Sequence, residues 1–488
     1  MSDDTGHQVS EKTGHSALDA TPVLRASVDP DAETMRRLGY ELVDRVVEHL
    51  TTLGDQPVAR RGSHDEFAEL VDEPMPRHAA RLEDCLDFFF DRVVPGMTKV
   101  NHPRFHAYIP CPSSFAGALG QMLAAGTNPF TGSWLGGATV SALELTVLRW
   151  IAEMLGYDTG TAGIFTSGGS MANLVGLAAA RARFGRDTLL RGTIYVSREG
   201  HASVNKAATI LGYAPESIRT VPVDSQYRMD LAALENMITD DREAGHFPFF
   251  IAGNAGTTNT GAIDRLPELA DLCEREDLWF HVDAAYGGFA AMTLEGETLL
   301  RGMERADSLT LDPHKWLYCP MGTGCALVRD AKFLEGAFST HGDYLKDLPA
   351  DEVNFLDRGP ELSRPARVLA VWMVIRSVGR DGLADQIQAD MRLARLAAAL
   401  LREDTRLDVD EPVLSVVTFR HCRRDGESER GRAARDSALM ESTLAGGELM
   451  LSSTILGERS TLRMVVMNHR TTEADIRRSV ALIHEHIA

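Results

Sequence analysis

The spacing of apolar and polar positions divides the chain into stretches of different character. From Asp31 to Leu53, residues Met35, Leu38, Leu42, Val46 and Leu50 recur every three or four positions, which predicts an amphipathic helix. A Pro-rich polar segment runs to Pro76. A second helical stretch, Arg81 to Val94, carries Leu82, Cys85, Leu86, Phe89 and Val93. Both stretches have an apolar face and little core of their own, so each is expected to pack on something larger, such as a partner subunit. From about Pro110 the pattern changes. Ser141 to Leu155 reads as one helix, with Ser141 and Glu144 placed as a capping box and Gly156 as the stop. Its stripe is Leu143, Val147, Trp150, Ile151 and Met154.

Short β-like runs follow at Gly163–Phe165, Thr193–Val196, Phe249–Ala252, Leu278–Val282, Ser308–Leu311 and Cys325–Val328. Helical patterns such as Ala172–Phe184 and Leu231–Thr239 lie between some of them. This alternation implies a mostly parallel sheet covered on both faces, so the expected fold class is α/β. Near Ala384 a third region begins: a helical stretch to Leu401, a strand Leu414–Phe419, a charged loop His421–Arg435, a strand Leu462–Val466 and a final helix Glu473–Ile487. The expected organisation is a disordered tail (1–30), an N-terminal helical segment (31–110), a large sheet domain (111–383) and a small α+β C-terminal domain (384–488).

Composition narrows the partners. The 488 residues include 50 Lys+Arg against 70 Asp+Glu, a net charge of −20, which argues against nucleic acid or an anionic membrane as the main partner. A local basic pocket for a small anion stays open. With no run of about 18 apolar residues, no membrane span is expected, and the polar start to Ser27 does not resemble a secretory signal. The six cysteines form no CxxC pair and read as small buried thiols in a reducing cytoplasm. No metal is expected.

Four places carry candidate chemistry. Thr166-Ser167-Gly168-Gly169-Ser170 lies between a strand and a helix. Its glycines allow close backbone approach, and the helix N-terminus offers free N–H groups to an anion, with the Ser170 hydroxyl beside them. A nucleophile elbow at Ser170 and a plain tight turn are the competing readings. Asp283, in His281-Val282-Asp283-Ala284-Ala285-Tyr286, ends an apolar strand, where α/β sheets bind ligands; it could also cap the next turn. Lys315, in Asp312-Pro313-His314-Lys315-Trp316, sits just past another strand. Partial burial there should lower its pKa and make a usable amine, unless it serves a structural ion pair. His201, in Gly200-His201-Ala202-Ser203, is either a ligand-facing or a structural histidine. In combination, an anion cradle, a strand-end carboxylate and a reactive lysine on one parallel sheet are what pyridoxal 5′-phosphate needs. The elbow reading leaves Asp283 and Lys315 unexplained.

At this point the chain, from about Met35 onward, resembles the group II pyridoxal-phosphate-dependent amino-acid decarboxylases. The carriers are His102-Pro103-Arg104-Phe105, Thr166 to Asn173, Gly200 to Val204, Gly256-Thr257-Thr258, His281 to Gly288, Asp312 to Trp316, Leu462-Arg463, and Asn468 with Thr471-Thr472. The resemblance implies the type I pyridoxal-phosphate transferase fold and a homodimer with a shared active site, clasped by the N-terminal helices. It implies Lys315 as the Schiff-base lysine and Asp283 as partner of the pyridine nitrogen. His201 would stack on the ring and help position the substrate carboxylate, Ala285 would lie on the other face, and Thr258 nearby. Gly168, Gly169 and Ser170 would hold the phosphate, with His314 close to it. One hydroxyl usual in the family's cradle is missing, so backbone N–H groups must do more of the binding.

The family's mobile-loop proton donor corresponds to Tyr344, where aldehyde synthases of the family have Phe; this favours decarboxylation over oxidative deamination. The substrate pocket is expected around Tyr108, Ile109, Pro110, Phe130, Gly132 and Ser363. At Gly132 a bulky aromatic is often found in the family, so its absence either enlarges the pocket or reflects a different backbone path. Ser363 hints at phenolic substrates. An aromatic L-amino acid is the expected substrate. An aliphatic, acidic or diamino acid, or another reaction of the cofactor such as aldehyde synthesis, is the alternative.

Overall fold

The computed structural model describes Met1 and residues 28–158, 160–185, 187–339 and 352–487. Seven strands form the main sheet: β1 (Ala162–Thr166), β2 (Gly192–Ser197), β3 (Ile218–Val221), β4 (Phe247–Asn254), β5 (Trp279–Asp283), β6 (Ser308–Leu311) and β7 (Gly324–Val328). Their order is β1-β7-β6-β5-β4-β2-β3. The neighbours from β6 to β3 are all parallel, whereas β7 runs antiparallel to both β1 and β6. β1 therefore points the same way as β6, and the C-terminal ends of β1, β4, β5 and β6 share one edge. β1, β2, β5, β6 and β7 are buried along their whole length, which is why they read as continuous apolar runs. β3 is half-buried at the sheet's edge and too short and mixed to stand out in the sequence.

A second, antiparallel sheet has the order β10-β11-β9-β8, from β8 (Leu407–Val409), β9 (Val416–His421), β10 (Ser452–Leu456) and β11 (Arg459–Val465). Alternation divides its faces. Val417, Phe419, Leu462 and Met464 pack with Ile476 and Ile483 of the helix Glu473–His486, while Val416 and Val465 join the core of the main sheet.

Several boundaries differ from the sequence reading. Helix Trp134–Met154 starts a full two turns before Ser141, with Ser133 as its cap. Gly136 and Gly137 look like a break, and Gly137 does kink the helix, but the helix continues through it. Ser141 and Glu144 are thus buried interior residues and form no capping box; the Glu144 carboxylate is taken by Arg364. By length and composition this helix could cross a membrane. Here it packs Val147, Leu148 and Ile151 into the main core.

Helix Val368–Leu401 begins well before Ala384, across a break at Gly379 (φ +75°). The expected boundary near Ala384 falls inside it: residues to Met391 join the main core, and those from Ala394 join the second. The strand expected at Leu414 starts at Val416, because Leu414 adopts φ +53° and Ser415 bonds the Tyr286 hydroxyl. Half of the expected His421–Arg435 loop belongs to helix Glu429–Ala445, capped by Ser428. At the other end, Asp31 caps helix Ala32–Thr51, where only Leu38 is buried and Met35, Leu42 and Val47 are exposed.

Candidate active site

The shared edge of the main sheet holds a cavity of about 280 Å³. Gly168, Gly169, Ser170, His201, Thr258, Asp283, Ala285, His314 and Lys315 all line it.

The cradle follows from local geometry. After β1 the chain turns at Gly168, whose φ of +143° is strained for any residue with a Cβ. Gly169 opens the helix Gly169–Phe184, and no side chain caps its N-terminus. A Cβ on Gly169 would lie 2.9 Å from Asp312 Oδ2 and 3.2 Å from the Ala285 Cβ, so only glycine leaves the helix start open here. Uncapped N–H groups and the helix dipole together favour an anion.

Asp283 ends β5, flanked in register by Asn254 on β4 and Thr310 on β6. Its Oδ1 accepts the Ala285 N–H at 3.2 Å and its Oδ2 accepts Asn173 Nδ2–H at 2.9 Å. Lys315 lies past β6, and its Nζ is 3.0 Å from Asp312 Oδ2. Burial works against its charged form, but the carboxylates of Asp312 and Asp283 outweigh burial and hold the ammonium above its ordinary value. The expected lowering is thus reversed, because Asp312 of the same motif and Asp283 from the neighbouring strand both face the amine. Asp312 Oδ1 is buried with no hydrogen-bond partner among the described residues. His314 donates Nδ1–H to the Thr323 carbonyl at 2.9 Å, and burial pushes its pKa down. His201 is exposed at the cavity, its Nδ1 2.7 Å from Ser203 Oγ.

The expected substrate-pocket residues lie elsewhere. Tyr108 is exposed at φ +58°, and Ile109 and Pro110 are buried away from the cavity lining. Phe130 and Ser363 line a second cleft of about 760 Å³, which shares Ser167 with the first. Gly132 lines neither. A Cβ there would sit 2.1 Å from the Leu362 carbonyl oxygen, so glycine reflects the backbone path and opens no pocket. Tyr344 lies outside the described residues.

Asn173, Ser203, Asp312 and Arg463 were given no individual role from sequence. The buried Arg463 guanidinium donates to the carbonyls of Tyr108, Thr258 and Asn259, tying the second sheet to the Thr258 turn. The signals for it are a polar residue on an apolar strand and its place in the Leu462-Arg463 match to the family.

A glycine-lined helix N-terminus for a phosphate, a strand-end carboxylate for a pyridinium and a buried lysine amine define a pyridoxal-phosphate enzyme. Residues 65–422 match the pyridoxal-dependent decarboxylase conserved domain. The chain is 36% identical to an aromatic-L-amino-acid decarboxylase of Bacillus atrophaeus, over 91% of this chain and 94% of that one. Among solved structures, Oryza sativa TDC with pyridoxal phosphate and tryptamine superposes with a TM-score of 0.90 at 29% identity, covering 94% and 99% of the two chains. The Rhodiola rosea 4-hydroxyphenylacetaldehyde synthase superposes at 0.87 and 28%, covering 93% and 98%. The chain belongs to the pyridoxal-dependent decarboxylase family. It is a carboxy-lyase with pyridoxal 5′-phosphate as cofactor, and the open glycine cradle and the orphaned Asp312 Oδ1 fit that group.

Proposed function

We propose that this enzyme decarboxylates aromatic L-amino acids to the amine and CO2. The observation that carries the reading is the single cavity joining the Gly169 helix start, Asp283 and Lys315. Likeness over nine-tenths of the chain to a relative named for aromatic substrates supports the substrate class. The adjoining cleft with Phe130 at its wall does so too.

When bound, the cofactor supplies an electron sink for the bond to the departing CO2. The N–H groups of Gly169 and Ser170 would hold its phosphate, with His314 beside them. Asp283 would face the ring nitrogen and favour its protonated form. Lys315 would provide the anchoring amine, with Asp312 Oδ2 3.0 Å from its Nζ to orient it. His201, Ala285 and Thr258, which line the same cavity, would flank the cofactor ring, His201 also orienting the substrate carboxylate. Tyr344 would be the proton donor to Cα.

A panel of L-amino acids assayed for CO2 release tests this. Aromatic substrates should be turned over, and Lys315→Ala should lose both turnover and the visible absorbance of bound cofactor. Release from no aromatic acid defeats the substrate reading. The likeness to an aldehyde synthase favours a second reading, oxidative deamination; aldehyde and ammonia from the wild type, in place of amine, would establish it.

The working unit is a homodimer with a shared site. Met35, Leu42, Val47, Leu82 and Phe89 are exposed in a single chain, which supports burial by a second copy. Light scattering of the purified protein decides this, and a monomer at micromolar concentration refutes it. The six unpaired cysteines, of which Cys273, Cys319 and Cys325 are buried and Cys85 is exposed, support a reducing, cytoplasmic setting.

A further inference from the structure

The side chain of Asn173, on the first turns of the cradle helix, lines the same cavity as the cradle and Lys315, and all its hydrogen-bonding capacity is used within the protein. Its Nδ2 donates to Asp283 Oδ2 at 2.9 Å and to Ser203 Oγ at 2.8 Å. Its Oδ1 lies 2.7 Å from Thr310 Oγ1 and 2.8 Å from His281 Nε2. The Asp283 carboxylate can only accept, so the amide nitrogen must face it and the oxygen must face Thr310 and His281.

The remaining protons follow in order. His281 carries its proton on Nε2 and accepts the Ser308 hydroxyl at Nδ1 (2.8 Å), and Ser308 in turn accepts Trp279 Nε1–H at 2.8 Å. Burial supports a singly protonated His281, since it pushes that imidazole down to about 4. On the other arm, Ser203 Oγ already accepts from Asn173, so its own proton goes to His201 Nδ1, which the Ser203 N–H also approaches at 3.3 Å. His201 is thereby held as the tautomer with Nε2–H free.

We propose that Asn173 is the positioning residue of this site: one amide fixes the Asp283 carboxylate and, through Ser203, the tautomer of His201. The inference rests on the cofactor roles proposed above for Asp283 and His201. Its physical content is that a neutral donor, itself pinned from behind by Thr310 and His281, satisfies the inner oxygen of Asp283 and leaves the carboxylate aimed at the ring nitrogen.

The test is the dissociation constant of pyridoxal phosphate, measured by spectroscopic titration of the full-length protein across pH, with no turnover involved. Asn173→Ala should weaken binding tenfold or more. Asn173→Asp sets a carboxylate against Asp283, so its acid limb of affinity should move to higher pH; a merely structural loss would lower affinity equally at every pH. In an Asp283→Asn background, Asn173→Ala should add less than a twofold loss. Thr310→Val keeps the shape and removes only the hydroxyl that pins Oδ1, so it carries the same test at a threefold or greater loss should Asn173→Ala fail to fold. An Asn173→Ala affinity within twofold of wild type overturns the proposal, as does a full loss persisting without the Asp283 carboxylate. If Asp283→Asn alone binds the cofactor as tightly as wild type, the assignment of Asp283 has failed and the relay falls with it.

Discussion

Replacing Glu144 by alanine strips the support from beneath the cradle. Glu144 and Arg364 are both fully buried and paired through two bonds, Nη1 to Oε2 at 2.8 Å and Nη2 to Oε1 at 2.7 Å. Arg364 Nη2 also donates to the Phe165 carbonyl at 3.0 Å, and the Phe165 N–H donates to Glu144 Oε1 at 3.3 Å. The pair is thus stitched to β1 one residue before the cradle begins. Without the carboxylate, Arg364 keeps the Phe165 contact and a long one of 3.5 Å to the Thr131 carbonyl, while its Nε has no partner among the described residues. Opposite charges about 4 Å apart at an effective dielectric of about 20 attract by ~4 kcal/mol. Breaking a buried pair from one side costs ~3–5 kcal/mol, because the survivor is left charged and dry. Because the urea slope of a 488-residue chain exceeds the ~1–3 kcal/mol per molar of small proteins, Glu144→Ala should lower the unfolding midpoint by roughly 0.5–1 M. The double variant Glu144→Met, Arg364→Met strands no charge and should lose far less than the two single alanine variants combined. Unfolding followed by fluorescence and circular dichroism measures both. A Glu144→Ala midpoint within about 0.2 M of wild type would refute the reasoning.

Other expectations are equally specific. Gly169→Ala puts a methyl against Asp312 and Ala285, so cofactor affinity should fall by an order of magnitude or more with the fold intact; unchanged affinity in a titration would show that the cradle is not the phosphate site. Gly132→Ala should destabilise the protein by ~1–3 kcal/mol through its clash with Leu362, leaving the ranking of substrates unaltered; a stable variant with a new ranking would put Gly132 back in the pocket. Burial raises the Asp390 carboxyl to about 7, while Trp316 and Tyr318 donate to its Oδ2. Because the folded value lies above the unfolded one, this group's contribution is present below about pH 4 and lost as pH rises through about 7. The stability of Asp390→Asn relative to wild type should therefore climb by a few kcal/mol, at most about 4, between pH 4 and pH 8, read as the gap between urea midpoints; a gap independent of pH removes the ionisation argument.

Much of this protein is written locally. Fully buried strands appear as unbroken apolar runs, and turn chemistry marks the cradle at Gly168 and Gly169. Motif order places Asp283 and Lys315 at the ends of two strands of one sheet, and those strands are neighbours. Where sequence reasoning failed, a distant partner had intervened. Ser141 and Glu144 have the spacing of a capping box, but Arg364, 220 residues away, claims the carboxylate. Gly379 marks a break that the helix crosses, since Val374 and Ile375 before it and Leu383 and Ile387 after it pack on the same core.

By itself, the sequence determined the fold class and the main residues that line the candidate cavity, in their order, because hydrophobic periodicity, glycine geometry and strand-end chemistry act over a few residues. Only the tertiary structure decided that Lys315 faces two carboxylates and holds its proton. It alone decided that Gly132 answers to the backbone of Leu362, and that Asn173 joins Asp283 to His201. Those outcomes depend on which dipoles and charges meet after water is excluded, and burial together with pairing across long chain separations sets them.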